Sequence, residues 1–499
     1  MKRLCLLLAL MLVLTGCHTP PDTPYDTATT TTQENTAADS QAQPVTLDIY
    51  VVNDLHGKLA DTDAQPGVDE LSTYLTRAQQ NGNTILLSTG DMWQGASESN
   101  LTGGLIVTEW MNELNFAAMT IGGHEYDWGE EQIYRNNELA EFPFLGINIF
   151  DRETKQRVDY CHSSVVMDVD GVQIGIIGAI GNCYYSIASE NTQEVYFLTG
   201  DALTALVKEE SERLRNQGVD FIVYAIHDGY AETVSKTETT PVGDAALSDY
   251  YDVSLSDGYV DLVFEADSHY TYTLTDRYGV YHLQAGGNNQ AIAHVGVSIH
   301  PDTGKSYVYD AGPIPSDTYG SMDDHPIVEE LMDKYSGQTA PSTRIVGTNS
   351  RYLGKNAICQ TIAYLYCTAG MERWGDTYDI VLGGGYISCR SPGYLPAGEV
   401  RYSQLMSLLP FDNTITLCSI RGRDLIDRFF ETDVDAYYIK TTEYGETVYE
   451  NVDPNGTYYV VTDSYTSGYA YNNLTVIDTY TEGVYARDLL ADHIAAGNL

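Results

Sequence analysis

Between residues 45 and 270 the chain repeatedly runs through an apolar stretch of strand length and then straight into Asp, His and Gly. Val45, Leu47, Ile49 and Val51 alternate as a strand and are followed by Asn53-Asp54-Leu55-His56-Gly57. Thr84-Ile85-Leu86-Leu87 leads into Ser88-Thr89-Gly90-Asp91, and the run from Phe116 to Ile121 leads into Gly122-Gly123-His124-Glu125-Tyr126-Asp127. After a further run from Val172 to Ile177, Phe221 to Ile226 ends in His227-Asp228-Gly229, and Asp261 to Phe264 precedes Asp267-Ser268-His269. Val68, Leu71, Leu75 and Ala78 fall at helical spacing between the first two runs, so the pattern predicts an α/β domain with a largely buried sheet. Ligands of such sheets bind beyond the carboxyl ends of the strands, so clusters far apart in sequence can converge there. Carboxylates and imidazoles gathered at one sheet edge are what divalent metal ions require. The neighbouring glycines suit tight strand-to-loop turns.

With 499 residues the chain predicts two or more domains, and its 43% hydrophobic content is enough to form real cores. Its 26 Lys+Arg against 70 Asp+Glu give a net charge of −44. A surface this anionic repels phosphate backbones and anionic headgroups, which argues against nucleic-acid coating and polybasic membrane docking. A phosphate-bearing substrate therefore needs a metal or a local arginine. At the start, Met1-Lys2-Arg3 and the apolar run Leu4 to Leu14 read as a secretory signal, too short to be a stable span. Leu14-Thr15-Gly16-Cys17 resembles a bacterial lipobox, which implies cleavage before Cys17, lipid on that residue and an extracytoplasmic, membrane-anchored location. Thr19 to Pro44 has almost no large apolar residues and reads as a flexible tether. Cys161, Cys183, Cys359, Cys367, Cys389 and Cys418 show no metal-ligand spacing; a Cys161–Cys183 disulfide and buried free thiols are both compatible with the sequence.

Asn-Asp-Leu-His-Gly, Thr-Gly-Asp-x-Trp-x-Gly, Gly-His-Glu-Tyr-Asp-Trp-Gly, the strand-end His227 and Asp267-Ser268-His269 resemble the ordered blocks of the calcineurin-like metallophosphoesterases. In particular they resemble the branch of 5′-nucleotidases, UDP-sugar hydrolases and 2′,3′-cyclic-nucleotide phosphodiesterases. The resemblance implies one or two divalent ions, Zn, Mn or similar, that share a bridging Asp and activate a water for attack on phosphorus. Asp54, His56, Asp91 and His269 match the ligands of the first ion, with Asp91 as the bridge. For the second, Asp91 and His227 match, Asp267 stands where a His is expected, and Gly123 stands where an Asn is expected. Those departures leave the second position weakened, changed in metal preference or lost. His124 and Asp127 match the catalytic pair, and Glu125 between them reads as structural.

Further on, Asp324-His325-Pro326 precedes a short helical pattern from Ile327 to Met332, the natural boundary between domains. Asp379-Ile380-Val381-Leu382 reads as a strand leading into a flexible Gly383-Gly384-Gly385 turn and then Arg390. Pro410-Phe411-Asp412-Asn413 and the strand Tyr458 to Thr462 before Asp463-Ser464-Tyr465 follow. These segments resemble the C-terminal domain of the same family, which implies phosphate binding by Arg390, a base platform at Phe411 with the Asn413 amide, and a second aromatic face at Tyr465. Gly468-Tyr469-Ala470-Tyr471 lacks the ribose-holding Asp of the family, which puts ribose recognition in doubt.

The expected fold is an N-terminal four-layer αββα metallophosphoesterase sandwich with a separate α/β C-terminal substrate-binding domain. The expected divisions are a signal peptide over 1–16, a disordered tether over 17–44, the metallophosphoesterase domain over 45–320, a linker helix over 321–343 and the substrate domain over 344–499. The expected activity is hydrolysis of phosphate esters of nucleotides or other small organic phosphates. The alternative is an impaired relative kept as a ligand-binding surface lipoprotein. No protein partner is expected.

Overall fold

The computed structural model describes residues 42–61, 67–188, 191–229, 239–241, 259–276, 278–387, 389–390, 392–427, 429, 436–439, 452–468, 473–480 and 484–499. Cys17, the signal sequence, nearly all of the expected tether and Tyr469 to Asn472 lie outside the described residues.

Five strands carry the clusters, β1 (Val45–Val52), β2 (Thr84–Ser88), β3 (Ala118–Thr120), β5 (Phe221–His227) and β6 (Leu262–Phe264), and β4 (Val172–Ile180) lies beside β5. They belong to two sheets. In one, the order is Ser306–Pro315, Ala291–Ile299, β1, β2, β3 and Phe144–Leu145, with β1, β2 and β3 parallel. In the other, the order is Thr239–Pro241, Thr271–Thr275, Tyr281–Ala285, β6, β5, β4 and Ser164–Val169, with β4, β5 and β6 parallel.

Side-chain parity explains the layering. Leu47, Ile49 and Val51 of β1 point one way and pack with Ile174 and Ile176 of β4, Phe221 and Val223 of β5, and Phe264 of β6, which fills the space between the sheets. Tyr50 and Val52 point the other way, into a core with Leu71 and Leu75 of the helix Asp69–Asn81 and Trp110 of the helix Leu105–Glu113. On the far face of the second sheet, Ile177, Ile222 and Tyr224 pack against Leu203, Val207 and Leu214 of the helix Asp201–Asn216. The result is helix, sheet, sheet, helix. The helix Pro326–Thr339 buries Ile327, Val328, Leu331 and Tyr335 in the first of these helical layers.

After it comes a five-stranded sheet in the order Ala436–Ile439, Ile380–Gly385, Thr457–Asp463, Ile415–Arg421 and Thr475–Thr479. The helix Lys355–Trp374 lies on it through Ile358, Ile362, Ala363 and Tyr366. Here the structure corrects the sequence reading: Gly383, Gly384 and Gly385 are part of a strand, not a flexible turn. Packing requires glycine at 383, because a Cβ there would lie 2.3 Å from the Cys367 backbone nitrogen of that helix. Cys161 and Cys183 are buried thiols and form no disulfide.

Candidate active site

The register of β1 against β2 pairs Val52 with Ser88, which brings the two following loops side by side. Asp54 N–H donates to Gly90 O at 3.0 Å, His56 N–H to Asp91 O at 3.1 Å and Gly57 N–H to Met92 O at 2.9 Å. This ladder supports an unusual backbone: Asp54, His56, Asp91, Asp267 and His269 all adopt left-handed φ, between 49° and 65°. For non-glycine residues that conformation costs about 1–2 kcal/mol each, and such strain concentrates at functional sites. Both Asp-x-His tripeptides therefore share one strained shape, with Asp267 N–H donating back to the Asp54 carboxylate at 3.1 and 3.2 Å.

Asp54 is fully buried, and Asn53 Nδ2 donates to its carboxylate at 2.6 Å. His56 donates from Nδ1 to Gln94 O at 2.8 Å, leaving Nε2 aimed at His269 Nε2, 3.1 Å away. Burial first, then His269, holds His56 well below the usual imidazole range, so it stands as a neutral ligand. Asp54, His56 and His269 offer ligand atoms within 4.8 Å of one another, and so do Asp54, Asp91 and His227. His227 is fully buried, and its Nδ1 donates to Thr89 O at 2.6 Å. Its Nε2 lies 3.2 Å from Asp91 Oδ1 yet has no hydrogen-bond partner among the described residues. An imidazole whose other nitrogen is anchored on a backbone carbonyl is the usual form of a metal-bound histidine. The donor chemistry thus fits divalent ions at both positions.

Glu125 organises the floor. It is fully buried, Oε2 accepts from Asp91 N–H at 2.9 Å and from Gly122 N–H at 2.8 Å, and Oε1 accepts from Met92 N–H at 2.8 Å. Burial pushes its carboxyl up to about 7, with Asp91 adding to the rise. A Cβ on Gly122 would stand 2.4 Å from Asp91 Oδ1, so only glycine fits at that approach.

His124 donates from Nδ1 to Asp127 Oδ2 at 2.8 Å, and its Nε2 lies 3.2 Å from Arg390 Nη2. Burial opposes protonation, but Asp127 and Asp91 together push His124 up to about 9. With Nδ1 on Asp127, Nε2 of neutral His124 accepts from Arg390 Nη2–H; once protonated it is a second donor beside Arg390, and an oxyanion touching both satisfies that arrangement. The Phe411 ring lies 5.6 Å from the His124 ring and 5.1 Å from the Arg390 guanidinium, so it borders the site instead of filling a core. Arg390, Phe411, Asn413 and Tyr465 line one cleft of about 490 Å³ together with Asp91, His124, Asp127, Asp267 and His269. Asp54, His56 and His227 lie beneath it.

Sequence reasoning passed over Gln94, Trp128, Asn191 and Tyr386, which also line this cleft. It also drew no function from Cys183, whose position just beyond an apolar run matched that of the other clusters.

No protein-family model matches the chain. It is 25% identical over 437 residues to an apyrase of Tabanus yao, covering 79% of this chain and 74% of the relative. It is 23% identical over 473 residues to a 5′-nucleotidase of Vibrio vulnificus, covering 84% and 79%. Relatives named apyrase, 5′-nucleotidase and UshA over most of the chain support the 5′-nucleotidase family. The solved structure of a 5′-nucleotidase precursor from Thermus thermophilus matches the fold with a TM-score of 0.68 at 17% identity, covering 90% of this chain and 96% of that one. That likeness extends over both the two-sheet sandwich and the C-terminal sheet.

Proposed function

We propose that this chain is an extracytoplasmic, metal-dependent phosphomonoesterase acting on nucleotides or closely related organic phosphates, anchored through lipid on Cys17. The observation that carries the reading is the cleft itself. Buried carboxylates and imidazoles form its floor, and the His124–Asp127 pair and Arg390 stand side by side, 3.2 Å apart, on that one cleft. Asp54, His56, Asp91 and His269 would hold one divalent ion, and Asp91, His227 and Asp267 a second. An ion there supplies Lewis-acid polarisation of a phosphoryl oxygen and acidifies water.

The chain's own residues do the rest. Asp127 fixes the His124 ring through Nδ1, so that Nε2 presents its proton to the developing negative charge or to the leaving oxygen. Arg390 holds a phosphate oxygen through its planar fork. Phe411 and Tyr465 offer π-faces to a base, and Asn413 an amide for its polar edge. The test is phosphate release from a panel of nucleoside mono-, di- and triphosphates, run beside elemental analysis. Metal-dependent release is expected. Tight nucleotide binding by the metal-loaded protein with no release would overturn the enzymatic reading in favour of a binding lipoprotein.

A further inference from the structure

Strand β4 ends level with β5, Ile180 pairing with His227, and the chain then turns through a short 3₁₀ segment, Asn182–Ser186. That turn is fastened to the end of β5. Gly181 N–H donates to His227 O at 3.0 Å, Asn182 N–H to Asp228 Oδ2 at 2.7 Å, and the Cys183 thiol to His227 O at 2.9 Å. Cys183 is buried, with its sulfur held on the side of the turn that faces His227.

Two independent features point to a ligand there. Sγ of Cys183, a ring nitrogen of His227 and a carboxylate oxygen of Asp267 all lie within 4.8 Å of one another. The fully buried His227 Nε2, with its sister nitrogen already committed to Thr89 O, has no hydrogen-bond partner among the described residues. Ligand atoms around a tetrahedral zinc ion stand roughly 3.3–3.8 Å apart, so small side-chain adjustments bring these three into coordination. Gly123 offers no side chain, and a Cβ built on it meets only Ile187 Cγ1 at 3.7 Å among the described residues. Among the described residues, Cys183 is the one cysteine that falls in such a group with an imidazole and a carboxylate.

We infer that Cys183 is a thiolate ligand of the second metal position, which it shares with His227, Asp267 and the bridging Asp91. The inference rests on the metal-centre reading of the site. Binding a divalent ion M²⁺ forms the M–S bond and releases the thiol proton to solvent, with no change of oxidation state. A thiolate beside an imidazole and two carboxylates makes a site with soft and hard donors together, which selects zinc or cobalt over magnesium and calcium.

The experiment uses cobalt(II) alone as the probe, added to the metal-stripped, reduced full protein and read by near-ultraviolet absorption and elemental analysis. A thiolate-to-cobalt charge-transfer band that grows with the second equivalent is expected, and the parent spectrum decides the matter without any variant. Cys183→Ser should lose the band and bind its second ion weaker by at least the roughly 10- to 100-fold that loss of an outer-shell partner costs, while the first ion is retained. Cys161→Ala should keep the band. Two bound cobalt ions with no thiolate band would overturn the inference and leave the metal centre standing. A parent that takes up no ion would overturn the metal-centre reading itself.

Discussion

Glu125→Gln isolates the carboxylate that holds three backbone amides under the site. Glutamine keeps one acceptor oxygen. Its less costly placement puts that oxygen where Oε2 now accepts from Asp91 and Gly122, and sets the new NH₂ against Met92 N–H. Loss of charge is the smaller part of the damage. A carboxyl pushed up to about 7 by burial already gains and loses its proton at almost no free-energy cost near pH 7. The larger part is two buried donors facing each other. The Met92 N–H and the new amide N–H are each orphaned, at about 1–3 kcal/mol apiece and more beside charge. Relaxation recovers some of this, so a net destabilisation of about 3–5 kcal/mol is expected. A shift of about 2–4 °C per kcal/mol for a domain of this size gives a fall in Tm of roughly 6–20 °C by scanning calorimetry. Asp91, kept in left-handed φ partly by this contact, should lose metal affinity in parallel. An E125Q protein that melts within about 2 °C of the parent and keeps its metal content would refute the argument that these three bonds hold the bridging Asp in place.

His124→Ala should lower turnover by about 10² to 10⁴ with metal content unchanged; loss of metal would reassign the residue as a ligand. Phe411→Ala should raise KM for nucleotides by about one to two decades while barely altering hydrolysis of a small aryl phosphate, since each stacking face is worth about 1–3 kcal/mol. Equal damage to both substrates would mean Phe411 supports the fold instead. Away from the cleft, His282 is fully buried between Glu265, 3.1 Å from Nδ1, and Asp276, 3.8 Å from Nε2. Burial opposes its charge, but Asp276 and Glu265 push it up to about 9. Because the folded pKa lies above the unfolded one, this stabilisation is complete below about pH 6.5 and lost as pH rises through about 9, amounting to about 3 kcal/mol. Urea unfolding from about pH 6 to 10 should register that loss in the parent and a flatter profile in His282→Gln; identical profiles would exclude the pair as its source.

The alternation in Val45 to Val51 and the Asp-His-Gly clusters after successive apolar runs were enough to predict an α/β sheet with metal-type donors at its strand ends. Those signals are local. Period two follows from strand geometry, and the position after a strand is fixed by chain order alone. Legibility ended where a role depended on neighbours distant in sequence. Gly383 reads as turn chemistry, yet it lies in a strand because the backbone of the helix Lys355–Trp374 needs its missing Cβ. Cys183 reads as an unremarkable thiol until β4 and β5 are set in register and its sulfur arrives beside His227. Arg390 and His124 stand 266 residues apart in the chain and 3.2 Å apart in space. A propensity pattern carries information only over a few residues. These three placements are set by which strands pair and how closely layers pack, and that is decided by burying the whole chain's apolar surface at once.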